Sequence, residues 1–164
     1  MRKSSLIICF AIVGLWAVST IALGADMLTG TWKINLAKSK YSPADLAPKS
    51  GTTKFEMTKD GVKVVTYGVD SKGRKTHTDY TAKLDGKVVS TNGTIDGKPN
   101  TETDGATWKK VDDNNFETSA TLKGKTLTTT KVVIAKDGKT RTLTVTGKNA
   151  QGQTVNNTIV YDKQ

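Results

Sequence analysis

The only histidine of the chain, His77, stands two residues before Asp79. Residues two apart in a β-strand point to the same face, so the two side chains could form the imidazole–carboxylate pair of a general base. No serine lies in a nucleophile-elbow context, and the one cysteine, Cys9, belongs to an apolar N-terminal run. One histidine with scattered aspartates makes no recognisable metal set. The sequence therefore favours an exposed polar strand face, and it predicts no enzyme, no cofactor and no metal site.

Large aromatic side chains are the other groups that could contact a small molecule. Trp108 is a candidate because its strand, GATWKKV, has little other apolar bulk. In a sheet, aromatic residues more often pack in the core than contact a ligand. The candidates for ligand binding are Tyr41, Tyr67, Trp108 and Tyr161.

Asp-Gly pairs divide most of the chain into short segments rich in threonine and valine. Both residues tolerate the positive φ of a tight hairpin turn. With these turns as boundaries, the sequence predicts ten strands, near 30–36, 52–58, 62–69, 74–83, 87–91, 105–111, 115–122, 126–134, 140–147 and 153–161. Alternation is clear in the last strand, where one face carries Val155, Asn157, Ile159 and Tyr161.

Ten sequential strands would leave two exposed edges in an open sheet, whereas closure of the sheet removes both. The predicted fold is therefore all-β, a single up-and-down antiparallel barrel of 8 to 10 strands. Apolar residues are too few to fill a wide barrel, and many strand positions are threonine. These features predict an interior partly lined by hydroxyls, with a cavity for water or a ligand. A flattened barrel without a useful cavity is the alternative.

Residues 37–51 interrupt the series of strands. Ser42 fits a helix N-cap, Pro43 the first helical position, and Asp45 a capping acid. The segment is expected to form a single helical turn or a loop that covers the cavity like a lid, beginning around Tyr41.

The chain begins with basic residues and continues with an apolar run over residues 6–23, the order found in a secretory signal. Ala22 and Gly24 supply the small residues required before the cleavage site. The sequence thus predicts a signal helix that is cleaved (1–24) and one secreted or periplasmic domain (25–164). A retained membrane anchor is the alternative, because the run is near the lower length limit for crossing a bilayer.

Without Arg2 and Lys3, the predicted domain has 23 basic and 15 acidic residues, a formal charge of +8, and no cysteine. The lysines occur singly, without the arginine clusters or interleaved aromatics of a nucleic-acid surface. This pattern favours a solvated surface and argues against nucleic acid as a partner, while weak adhesion to anionic lipid or polysaccharide is left open. We expect a monomer that does not enter the membrane once the signal is cleaved.

The stretch GTWK, Gly30 to Lys33, resembles the Gly-x-Trp signature of the lipocalins and the wider calycin group. The C-terminal NNTIVYDKQ is similar to the last strand of the fatty-acid-binding branch, and GTWKINLAKSKYSP with its DGK hairpins resembles bacterial secreted lipocalin-like domain proteins. The resemblance implies that Trp32 packs across the closed end of the barrel against an arginine from a late strand, for which Arg141 is the candidate. Gly30, Trp32 and Arg141 would then have structural roles.

One position departs from the fatty-acid-binding pattern. Where that pattern has its carboxylate-binding arginine, two residues before Tyr161, this chain has Ile159. The expected ligand is therefore a small, partly apolar molecule, neutral or of mixed polarity, bound by a non-enzymatic barrel. The alternatives are a cell-envelope domain with a basic surface and no ligand cavity, and a weak hydrolase or isomerase that uses His77.

Overall fold

The structure, a computed structural model, describes residues 27–164, so the predicted signal peptide (1–24) lies outside the described residues. Its strands are β1 Gly30–Lys40, β2 Ser50–Thr58, β3 Gly61–Val69, β4 Lys75–Ala82, β5 Val89–Ser90, β6 Asn92–Ile95, β7 Lys98–Pro99, β8 Gly105–Lys110, β9 Asn115–Leu122, β10 Lys125–Ile134, β11 Thr140–Lys148 and β12 Thr154–Lys163. Among the described residues, Met27 and Leu28 are helical, and the one complete helical element is a 3₁₀ turn, Ala44–Leu46.

All twelve strands form one antiparallel sheet in the order β5-β8-β9-β10-β11-β12-β1-β2-β3-β4-β6-β7. The central part is a meander in which neighbours in sequence are neighbours in space, except that β12 pairs with β1. The described chain is therefore all-β, a curled antiparallel sheet, as the turn pattern predicts.

The observed sheet has twelve strands, which corrects the predicted number of 8 to 10. Each predicted strand has an observed counterpart, and the two additional strands, β6 and β7, form a short hairpin after β5. Asp96 and Gly97 make its turn, with φ values of 50° and 75°. Sequence reasoning took this Asp-Gly pair as a turn but missed the strands beside it, because strands of four and two residues are too short to show alternation.

Two Asp-Gly pairs do not connect paired neighbouring strands. The strands before and after Asp85 and Gly86, β4 and β5, are not paired with each other, and Gly86 N–H instead donates to the carbonyl of Trp108 at 2.7 Å. Gly105 begins β8 and lies opposite Thr121 of β9. Asp-Gly is therefore a reliable turn signal in this chain only where the two flanking segments can pair.

A single stretch of chain, residues 89–95, pairs with strands near both ends of the sheet. Val89 and Ser90 pair with β8, and the segment from Asn92 onward pairs with β4. Thr91 lies between them, and its N–H donates to the carbonyl of Asp104 at 3.0 Å. Since nearly consecutive residues bond first to β8 and then to β4, the sheet must curl until β4 and β8 face each other.

The expected loop at 37–51 is shorter than predicted. β1 continues to Lys40 through a bulge, since Asn35 pairs with Val160 whereas Lys40 pairs with Thr158. Ser42 does not act as an N-cap, because Pro43 occupies that position and no side chain caps the turn. The irregular part is therefore residues 41–49, which we call the strap.

An apolar core fills one end of the curled sheet. Its largest fully buried side chains are Trp32, Phe55, Phe116, Leu28 and Ile134. Trp32 Nε1 donates to the carbonyl of Leu28 at 2.8 Å, which fixes the segment before β1 beneath the indole. The opposite end of the sheet is left for a cavity.

Candidate functional site

A cavity of about 410 Å³ lies at the end of the sheet opposite the core. It is surrounded by the strap, the β3–β4 turn, the residues around β6 and β7, and the β11–β12 turn. We call it the mouth cavity. Its apolar lining comes from Ile34, Leu46, Pro48, Ile95 and Ile159. Its amides are Asn100, Asn149, Gln151, Gln153 and Asn157.

The strap is fixed to the sheet at both ends. Near its start, Ser42 N–H donates to Asn157 Oδ1 at 3.0 Å, and Asn156 N–H donates to the Ser42 carbonyl at 3.0 Å. At its other end, Lys49 N–H donates to the Val69 carbonyl at 2.8 Å. These bonds hold Tyr41 and the apolar strap residues over the mouth cavity.

Tyr41 and Tyr161, two of the predicted ligand-binding residues, both line the mouth cavity. The Tyr41 hydroxyl is buried and interacts with the hydroxyl of Ser39. Burial, together with the nearby Tyr161, raises the pKa of Tyr41 from 10.0 to about 12, although Ser39 opposes this shift. Tyr41 therefore lines the cavity as a neutral phenol.

Three charged side chains at the rim of the mouth cavity pair with one another. Arg74 Nε donates to Asp70 Oδ2 at 2.6 Å, and Arg74 Nη1 donates to Glu102 Oε1 at 2.9 Å. The bonds to Glu102 and Asp70 raise the pKa of Arg74. Partial burial would raise the pKa of Asp70, but hydrogen bonds from Arg74 outweigh this effect and lower it. The guanidinium thus ties the β3–β4 turn to the segment before β8.

A second cavity of about 240 Å³ lies between β4 and β8–β10. Every residue that lines it is a hydroxyl-bearing residue, a glycine or an alanine, and we call it the threonine pocket. Its residues are Thr66, Thr78, Tyr80, Thr91, Thr103, Gly105, Ala106, Thr118, Ser119, Ala120, Thr128 and Thr130. Thr78 and Thr103 also line the mouth cavity, so the two cavities adjoin.

Arg141 lies in the core and lines neither cavity. Its guanidinium carbon is 4.2 Å from the ring centroid of Tyr161, 4.8 Å from that of Phe55 and 5.3 Å from that of Trp32. The side chain is 2% exposed, and burial lowers its pKa to about 10. It forms no salt bridge with a described carboxylate, so aromatic faces are its main partners.

Gly30, which the resemblance groups with Trp32 and Arg141, begins β1 with a φ of 121°. A Cβ at this position would be 2.8 Å from Cε of Lys163. The Lys163 ammonium in turn lies 5.2 Å from the Trp32 ring centroid. The positive φ favours glycine at this position, and an added Cβ would displace the end of the Lys163 side chain.

Trp108 is also in the core and does not line a cavity. It is 5% exposed, and its ring makes edge contacts with Phe55 and Phe116 at centroid distances of 5.4 and 6.3 Å. Its Nε1 donates to the Tyr80 hydroxyl at 2.9 Å. Through that bond it contacts a residue of the threonine pocket without reaching the pocket itself.

Tyr67 lies on the outer face of the sheet, because it follows the inward-facing Thr66. It is 56% exposed and stacks on His77, with 4.7 Å between ring centroids. His77 Nε2 lies 3.0 Å from Asp79 Oδ1, so the expected pairing on one strand face is present. This face is part-exposed and outside both cavities, which separates Tyr67 from Tyr41 and Tyr161.

Sequence reasoning missed the paired charges of Asp70, Arg74 and Glu102. Arg74 and Glu102 are 28 residues apart and meet only because the β6–β7 hairpin returns the chain to the β3–β4 turn. Asn157 could have been found, since it shares the inward face of β12 with Ile159 and Tyr161.

Within residues 27–164, no group of three or more histidine, cysteine, aspartate or glutamate side chains is placed to hold a metal ion. No helix in this part of the chain is long and apolar enough to cross a membrane.

No protein-family model matches the chain, and no curated protein matches it. Among solved structures, its fold is similar to that of a zebrafish ileal bile acid-binding protein complexed with cholic acid, with a TM-score of 0.51 and 14% identity over 84% of this chain and 99% of that chain. A redesigned β-barrel, mFAP1, bound to DFHBI, gives a TM-score of 0.38 and 14% identity over 85% of this chain and 98% of that one. The first similarity is a similarity of fold alone.

Proposed function

We propose that this chain is a non-enzymatic binding protein that holds a small, partly apolar molecule in the mouth cavity. The observation that carries the proposal is the cavity itself. Its volume of about 410 Å³ lies within the range of about 300–1,000 Å³ common for small-molecule sites. The cavity is closed below by a packed core and covered on one side by the strap, so an entering molecule would bury part of its surface.

The composition of the lining supports a ligand of mixed polarity. Aliphatic side chains such as Ile34 and Ile159 offer apolar contact, whereas the amides and phenols offer directed hydrogen bonds. The zebrafish protein of similar fold is complexed with a small organic molecule, cholic acid, which agrees with this use of the fold. A cavity of this size argues against the alternative of an envelope domain with no room for a ligand.

The proposal includes a closed barrel of the lipocalin-like type. The bonds of residues 89–95 to both β4 and β8 support closure, because they join the two ends of the sheet order. The charged start and apolar run of the sequence support export to the periplasm or the outside of a bacterial cell, with cleavage after residue 24. The exported domain would act as a monomer.

Native mass spectrometry of the chain isolated from its own organism tests the proposal. We expect a co-purifying small molecule with the unaltered chain. Thr78→Trp should abolish it, because Thr78 lies where the two cavities adjoin. The matched control is Thr81→Trp, on the same strand but exposed, and this variant should retain the molecule. Equal retention by both variants, or no bound molecule in any sample, would overturn the proposal.

A further inference from the structure

We propose that the ligand is an uncharged molecule rich in hydroxyl groups, such as a glycoside or an alkylated polyol, and that its polar part enters the threonine pocket. This inference rests on the proposed function, because it names the class of molecule bound at the same site. An anionic lipid is the class that it excludes.

The first support is the chemistry of the threonine pocket. Its lining offers nine hydroxyl-bearing residues and no charged side chain. A hydroxyl both donates and accepts, so a wall of hydroxyls can bond the hydroxyls of a sugar or polyol in many orientations. An alkyl chain in the same space would offer these hydroxyls no hydrogen bond. Burial without partners is unfavourable for polar groups.

The second support is a pair of buried hydroxyls beside the cavities. Tyr41 lines the mouth cavity, and Thr91 lines the threonine pocket. The Thr91 hydroxyl has no hydrogen-bond partner among the described residues, and the Tyr41 hydroxyl interacts with the hydroxyl of Ser39. Both oxygens are shielded from solvent, so each side chain must turn toward its cavity before a ligand oxygen can bond it. Since most buried polar groups in native proteins are satisfied, such a bond would be favourable.

The third support is the arrangement of positive charge. Arg74 is already paired with Asp70 and Glu102. Arg141 is buried against the ring of Tyr161 and reaches neither cavity. Lys72 is exposed at the rim, where a carboxylate would remain in water. Among the residues that line the two cavities, a carboxylate carried inside would therefore find no unpaired buried cation, and an unpaired buried charge is strongly disfavoured.

Two probes with the same alkyl chain separate the classes: octyl β-D-glucopyranoside and octanoate, both below their micelle concentrations. We would titrate each into the ¹⁵N-labelled chain and follow amide shifts. The glucoside should shift the amides of Thr78, Thr91 and Thr103 and bind at least about tenfold more tightly than octanoate, which must bury a charge.

Two substitutions test the hydroxyls. Thr91→Val and Tyr41→Phe each remove a single hydroxyl and should each weaken glucoside binding about fivefold, the effect expected for one hydrogen bond. Thr81→Val is the matched control on the exposed outer face and should leave affinity unchanged. A circular dichroism spectrum of each variant checks that it folds. If one of the two hydroxyl variants misfolds, the other still tests the prediction.

Octanoate binding as tight as glucoside binding, or hydroxyl variants with unchanged affinity, would overturn the assignment of ligand class. Glucoside shifts confined to residues outside both cavities would also overturn it. These results concern only the class of ligand. The proposed function is tested separately, by whether mass spectrometry detects a co-purifying molecule.

Discussion

Replacing Arg141 by methionine should change the free energy of unfolding by less than about 1 kcal/mol at neutral pH, a small effect for a fully buried residue. Burial lowers the pKa of Arg141 to about 10. Because this value lies below that of an ordinary arginine, folding penalises the charged form, and the penalty is present at neutral pH. At roughly 1.4 kcal/mol per pKa unit, it amounts to about 3 kcal/mol.

The three aromatic rings around the guanidinium offset this penalty. Their centroids lie 4.2, 4.8 and 5.3 Å from the guanidinium carbon, all within cation–π range. A desolvated contact of this kind contributes about 1 kcal/mol or more, so three of them nearly cancel the burial cost. Methionine is long and flexible enough to fill much of the same space. The net contribution of the cation and its three rings to the free energy of unfolding is therefore close to zero.

Urea unfolding followed by tryptophan fluorescence measures the change, and a double-mutant cycle with Tyr161→Leu isolates one contact. The coupling energy between Arg141 and Tyr161 should be about 1 kcal/mol. A gain of about 3 kcal/mol in Arg141→Met would refute the reasoning, since the rings would then contribute nothing. A loss of about 3 kcal/mol would refute it equally, because the guanidinium would then have a strong partner beyond these rings.

Three further predictions concern the mouth cavity and the turns. In an ultraviolet titration, one phenol should ionise near pH 12, because the pKa of Tyr41 is raised to about that value, and Tyr41→Phe should remove this step. The contribution of the neutral phenol to the free energy of unfolding is full below pH 10.0 and is lost as pH rises through 12. A titration that is the same for Tyr41→Phe and the unaltered chain would show that Tyr41 is not buried. Asp70→Asn should lower the unfolding free energy by about 1 kcal/mol at neutral pH. Because the folded-state pKa of Asp70 lies below 3.8, this difference should disappear as pH falls below that value, and a difference that persists in acid would contradict the ion-pair explanation. Gly97→Ala should lower the free energy of unfolding by about 1 kcal/mol through its positive φ alone. Gly61→Ala should lower it by at least about 2 kcal/mol, because the added Cβ would also collide with a backbone carbonyl of β4. Equal losses for the two variants in thermal or urea unfolding would count against that collision.

The sequence was informative about strands because their signals are local. Threonine- and valine-rich segments between turn residues predicted ten strands, and all ten have counterparts in the sheet. The extension of β1 to Lys40 was missed, because a bulge breaks the alternation that marks a strand. Such a break depends on the partner strand β12, which single-sequence reasoning cannot place in register.

The candidate site was predictable only in part. Tyr161 could be assigned to an inward face because apolar Ile159 and Val155 share that face. Tyr67 gave no such signal, since both faces of β3 carry residues that could be buried, and it lies outside. The contacts of Arg74 depend on chain folding over 28 residues, and no local pattern encodes them.

The pairing of β1 with β12 has a consequence for how the chain folds. Asn35 Nδ2 donates to Asp162 Oδ2 across 127 residues of sequence. Closing a loop of that length costs about 4 kcal/mol of chain entropy, compared with about 0.6 kcal/mol for a two-residue hairpin, before any constant term. The local hairpins should therefore form first and the seam between the first and last strands late, which gives this protein a high contact order and folding in milliseconds to seconds. A chain that has lost β12 would retain its hairpins but expose β1 as an unpaired edge, open to pairing with another copy.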